Sequence, residues 1–157
     1  MGIAHRFIYI AYKSDICVSP VSIISLDNTS FIGLSVVAKD RFHDVVKTAL
    51  KKEDWVITQD PLGLKYGKVD FQIDLGAEKL LAAEREHEKI AVEIKSFLNP
   101  SAITDFYAAL GQFLSYRLAL ETIDPERTLY LAVPLESYQT FFNLILPKQL
   151  FKNTKCF

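Results

Sequence analysis

The sequence predicts an α/β protein in which helices cover the faces of a mixed β-sheet. Three observations predict it. The stretches "VDFQIDL" at residues 69–75 and "IAVEI" at 90–94 alternate with the period-two pattern of strands. The run "RTLYLAVP" at 127–134 is almost continuously apolar, as in a central strand covered on both sides. Between the second and third lies a long helical stretch, and strands joined through a helix form a sheet with that helix packed on its face.

The elements follow in order. Residues 5–38 are apolar, but Lys13, Asp15, Asp27 and Asn28 interrupt them, so no run approaches the roughly 18 apolar residues of a membrane span. They read as short strand-like pieces with turns at "SP" and "LDNTS". From Lys39, "KDRFHDVVKTALKKEDW" has helical period: Phe42, Val45, Val46, Ala49 and Leu50 share a stripe, and Lys47, Lys51 and Lys52 face away. "DWVITQDP" is a short strand ended by Pro61, and "LGLKYG" a turn. In "VDFQIDL" the alternation puts Asp70, Gln72 and Asp74 on one face. "AEKLLAAEREHE" either extends the strand or forms a short helix, with composition favouring helix. Lys79, Glu84, Arg85, Glu86, Glu88 and Lys89 read as a solvated turn. The long helix begins after Ser101, a candidate cap, and stops at "DP"; apolar almost all round, it is expected to pack on more than one side. A last amphipathic piece begins near Glu136.

The chain has 157 residues, 50% hydrophobic and 24% charged, which is one domain of ordinary globular composition. Its formal net charge of -1 excludes a protein living by overall basic attraction to phosphates, so a nucleic-acid role requires a local patch or metal ions. Cys17 and Cys156, near opposite ends, suggest neither a disulfide framework nor a thiolate metal site, as expected of the cytoplasm.

The stretch "KIAVEIKSF" at 89–97 sets Glu93 beside Lys95 on the face opposite Ile90, Val92 and Ile94. Either this is a solvated outer face, or it is a site. If the strand ending at Asp74 pairs with it, one aspartate, one glutamate and one lysine converge. Neighbouring carboxylates repel unless a cation lies between them, and Mg²⁺ suits two carboxylates completed by water and phosphate oxygens. Such an ion polarises a phosphodiester and acidifies a bound water, and Lys95 could orient that water or offset charge on the phosphorane.

These residues carry a resemblance. "IDL" followed by "VEIK" resembles the PD-(D/E)XK nuclease superfamily, and "GQFLSYR" supplies its Gln-x-x-x-Tyr element. More closely, "KDRFHDVVKTAL", "DWVITQDPL", "DLGAEKLLAAEREHEKIAVEIKSF", "ALGQFLSYR" and "PERTLYLAVP" are similar to the fdxN element excision controlling factor XisH family. The resemblance implies a restriction-endonuclease-like fold and a part in site-specific excision of a DNA element. It implies Mg²⁺ or Mn²⁺ as cofactor and DNA and an XisI-like protein as partners, with self-association left open. Catalytic roles fall to Asp74, Glu93 and Lys95, with Asp74 and Glu93 as metal ligands. His43, Gln112, Tyr116 and Asp70 are supporting residues, Asp70 being the rival to Asp74. His43 could bind a second metal or a phosphate, or be a flank histidine bonded to the sheet. The resemblance places an extension outside the family at residues 1–37, the XisH-like domain at 38–142 and a divergent tail at 143–157. That tail lacks the expected closing strand, which implies an open sheet edge. The alternative function is a catalytically inactive accessory protein that binds XisI and DNA to control a recombinase.

Overall fold

The structure is a computed structural model; it describes residues 6–13, 16–17, 22–25, 38–80 and 87–142, with side chains within 42–79 and 88–142. The strand-like pieces expected at the start are β1 (Arg6–Lys13), β2 (Ile16–Cys17) and β3 (Ser22–Ser25). The turns at "SP" and "LDNTS", and residues 81–86 and 143–157, lie outside the described residues. Then follow α1 (Ala38–Lys52), β4 (Val56–Gln59), β5 (Leu62–Tyr66), β6 (Val69–Ile73), β7 (Leu75–Leu80), β8 (His87–Ile94), α2 (Ala102–Ile123), β9 (Arg127–Pro134) and α3 (Leu135–Ser137), closed by a π-helical turn, Tyr138–Phe142.

The expected mixed α/β fold is what forms. The main sheet runs β2-β1-β9-β8-β7-β4, with β3 also on β1, and β5 and β6 make a separate two-stranded ribbon. Only β8 and β9 are parallel among these pairs, because α2 carries the chain back between them. On its other side β9 pairs antiparallel with β1, from Phe7↔Pro134 to Tyr12↔Leu129.

Two apolar layers sandwich the sheet. On one face Phe42, Val46 and Leu50 of α1 pack on Leu75, Ala77, Ile90, Val92 and Ile94, the stripe anticipated from their helical period. On the other face Phe106, Ala109, Phe113, Tyr116, Ala119 and Leu120 of α2 pack with Ala91, Leu129, Leu131 and Val133. Strand β8 is therefore covered on both sides. The opposite surface of α2 leaves Tyr107 and Leu118 exposed, so among the described residues the helix buries one stripe and not its whole circumference.

Four local expectations are corrected. The alternating stretch 69–75 is not one strand: β6 stays in the ribbon, the chain bends at Asp74, and β7 enters the main sheet. "LGLKYG" is not a turn but contains β5, since Leu62 and Leu64 are buried under α2 and β6 supplies its hydrogen bonds. "AEKL" is strand, not helix, because pairing of Leu75–Leu80 with β8 overrides the helix-forming composition. Ser101 occupies the N-cap position without capping by its side chain; Asp105 reaches back instead, accepting from the Asn99 backbone N–H at 3.1 Å.

Candidate active site on strands β7 and β8

The hairpin register assembles the site. Leu75 pairs with Val92, so one step back the bend residue Asp74 stands against Glu93, on the α2 face of the sheet. The separation of 19 positions from Asp74 to Glu93 is taken up by β7, the connection and β8. Asp74 Oδ2 accepts the backbone N–H of Ile94 at 2.7 Å, which fixes the aspartate across the strand end. The two carboxylates thus lie on one side of the sheet.

Glu93 is only 3% exposed, which overturns the solvated-face alternative. A buried carboxylate demands compensation. Lys95 provides part of it, its Nζ 2.8 Å from Glu93 Oε1, and its own position is set by the backbone bond from Lys95 N to Ala132 O at 3.0 Å. Burial, then the neighbouring Asp74 charge, push the Glu93 carboxyl up to about 7, outweighing the lowering by Lys95. Near neutrality the site therefore holds less positive charge than its carboxylates call for.

Tyr116 reaches the same place from α2. Burial, then Glu93 and Asp74, push its phenol up to about 12, so it remains protonated and available as a donor. Its ring meets Phe71 of the ribbon edge-on, centroids 5.8 Å apart. Asp74, Glu93, Lys95 and Tyr116 are the sequence-predicted residues that come together.

The others stand apart from this cluster. Asp70 is exposed on β6 opposite Lys65, and of the two rival aspartates only Asp74 bears on Glu93. Gln112 is exposed although it is one helical turn from Tyr116. His43, on α1, has Nε2 3.1 Å from Asp60 Oδ1, and Lys47 Nζ lies 2.5 Å from the other oxygen of that carboxylate.

Sequence reasoning missed a second charged cluster. Arg127, at the start of β9, has Nη1 2.9 Å from Ile90 O, Nε 2.9 Å from Asp124 Oδ2 and Nη2 3.2 Å from Glu78 Oε1. Lys89 adds Asp124 at 3.7 Å and Glu126 at 3.5 Å, so the residues read as a solvated turn include part of an ion-pair network. An arginine opening an otherwise apolar strand was the available signal.

No group of three or more His, Cys, Asp or Glu side chains placed to hold a metal occurs among the described residues. A divalent ion at Asp74 and Glu93 would have two protein carboxylates, with water and substrate oxygens completing its shell, which is a donor set Mg²⁺ accepts. The deficit of positive charge around Glu93 fits that occupant.

Fold and site together define a mixed α/β protein whose sheet gathers two acids and a lysine at a strand junction beneath a helical tyrosine. The chain belongs to the XisH family: the family model described as "XisH protein" matches residues 36–156. An XisH family protein from Nostoc punctiforme is 53% identical, covers 71% of this chain and 82% of its own, and superposes with a TM-score of 0.64. An fdxN element excision controlling factor protein from Anabaena variabilis is 51% identical over 74% of this chain and 85% of its own, with a TM-score of 0.65. No curated protein matches the chain significantly. No helix among the described residues is long and apolar enough to cross a membrane.

Proposed function

We propose that the chain takes part in excising a DNA element and that Asp74, Glu93 and Lys95 form a divalent-metal-dependent centre for phosphodiester hydrolysis of the PD-(D/E)XK kind. The observation that carries it is a buried glutamate held beside a lysine, with an aspartate on the same face fixed across the strand end. Mg²⁺ or Mn²⁺, when bound, supplies Lewis acidity to the phosphate and to a water. Asp74 and Glu93 hold it. Lys95 orients the attacking water by accepting no proton and donating a hydrogen bond, and offsets the negative charge that grows on the phosphorane. Water adds to phosphorus, the bond to the sugar oxygen breaks, and the leaving oxygen gains a proton as the water loses one.

Titrating Mg²⁺ or Mn²⁺ against duplex DNA is expected to give cleavage that Glu93→Ala and Lys95→Ala abolish. Cutting that needs no metal, or that survives both substitutions, overturns the hydrolytic assignment.

The alternative, an accessory factor that binds an XisI-like protein and DNA to steer a recombinase, draws on the same geometry. Lys95 already neutralises Glu93 in part, and Asp74 is already engaged by Ile94 N–H, so the trio also works as a structural strand lock. The relative's excision-control name fits either. Copurification with an XisI-like partner that survives Glu93→Ala, together with no metal-dependent cutting, is the result expected of this alternative.

A further inference from the structure

The β5–β6 ribbon has an anchored base and an open tip. At the base Leu62, Leu64 and Ile73 are buried in the α2 layer, with Phe71 packed against it. At the tip Tyr66 and Val69 are register partners, 37% and 50% exposed, on either side of a turn through Gly67, whose φ of 62° suits glycine. Such a turn is ordinarily polar. Lys65 precedes the apolar pair and Lys68 lies in the turn within it; neither makes an ion pair among the described residues, although exposed Asp70 is the cross-strand partner of Lys65. A tip that carries lysines and apolar side chains together, exposed among the described residues, suits a partner that offers both anionic and apolar contacts.

The ribbon is also tied to the site. β6 runs directly into Asp74, and Phe71 lies against Tyr116. From Val69 to Ile73 the strand extends about 13 Å at its usual rise, more than the depth of a major groove, about 8.5 Å.

We propose that the tip at residues 65–69 enters the major groove of duplex DNA, Lys65 and Lys68 contacting phosphates and Tyr66 and Val69 making apolar contact with base edges, while the duplex backbone lies at Asp74 and Glu93. The proposal rests on DNA being the substrate of that site. The major groove is about 12 Å wide and admits a two-stranded ribbon, and the thymine methyl offers the apolar contact.

The test is fluorescence anisotropy of a labelled duplex in EDTA, over roughly 50 to 200 mM salt, comparing wild type with Lys65→Ala/Lys68→Ala and with Tyr66→Ser/Val69→Ser. All four positions are surface tip residues, and equal thermal midpoints verify folding. The lysine pair is expected to weaken binding at least about tenfold and to flatten the salt slope by about 1.8, near 0.9 for each lost phosphate contact. The apolar pair is expected to weaken binding with the slope unchanged. Wild type that binds while the lysine variant keeps the same affinity and slope overturns the ribbon's role and leaves DNA as the substrate. Wild type that fails to bind duplex, with or without Mg²⁺, overturns the DNA assignment itself and the ribbon's role with it.

Discussion

The Lys95 ammonium lies 2.8 Å from Glu93 Oε1 and still does not hold that carboxyl at its ordinary acidity. Removal from water and the Asp74 charge both disfavour the anion, and together they exceed what one partly exposed ammonium returns. The pair is therefore poised near neutrality, where a small change in local charge shifts the proton. That balance leads to the first three predictions.

Folding stability should fall as pH rises from about 4.5 to about 7 through Glu93. Unfolded, the carboxyl titrates near 4.5; folded, near 7. Between those values the folded state holds a proton that the unfolded state has lost, so raising the pH favours unfolding, and above 7 the effect levels off. The upper bound is about 3 kcal/mol. Urea titrations of wild type and Glu93→Gln in EDTA should differ in slope across this window. Parallel curves from pH 5 to 8 would show that Glu93 titrates like a solvated acid.

Replacing Lys95 should have a cost that depends on pH. Above pH 7, Lys95→Met leaves a buried carboxylate without its cation, at a cost of about 1–2 kcal/mol after allowance for the lysine's partial exposure. Below pH 5 the carboxyl is protonated in both proteins and the difference should shrink to a few tenths of a kcal/mol. A cost independent of pH would assign Lys95 a packing role along its aliphatic stem.

Metal binding should compete with the Glu93 proton. Calorimetry with Mg²⁺ or Mn²⁺ near pH 7 should show release of about half a proton, visible as a binding enthalpy that changes with buffer. Asp74→Asn removes one ligand and also the repulsion that raises Glu93, so affinity should drop while proton release decreases. Affinity unchanged in Asp74→Asn would remove the aspartate from the binding set.

Much of this was legible in the sequence, for identifiable reasons. Alternation in 90–94 placed Glu93 and Lys95 on one face, and adjacency placed Asp74 near them, because both inferences need only the period of a strand. The helical stripe of α1 was legible for the same reason. The break at Asp74 was not, since no glycine or proline marks it and the alternation runs straight through. Nor was β5, where Gly63 and the Gly67 that follows the strand mimic a turn while its burial under α2 is a tertiary fact. Gln112 shows the limit of helical spacing: four residues turn about 400°, so a partner one turn away is offset by some 40°, enough to carry it from a buried to an exposed edge. Charges such as Lys89 and Arg127 pair across elements distant in sequence, where no local pattern reports them.

Arg127 should be worth more to stability than to the site. Its guanidinium is 7% exposed and joins β7 through Glu78, β8 through Ile90 O and the α2–β9 turn through Asp124. Arg127→Ala leaves Asp124, Glu78 and a backbone carbonyl short of a donor, at a cost of about 3–4 kcal/mol. Arg127→Lys should recover less than half, because a single ammonium cannot reproduce three bonds in diverging directions. The network centres on the Lys89↔Arg127 pair, four residues from Glu93 along β8, about 13 Å away. Metal affinity measured at a temperature where Arg127→Lys remains folded should therefore match wild type, while its unfolding midpoint in urea drops. A folded Arg127→Lys protein with lost metal affinity would mean that this cluster positions the acids at the far end of the strand, and that the two charged centres of the sheet act as one.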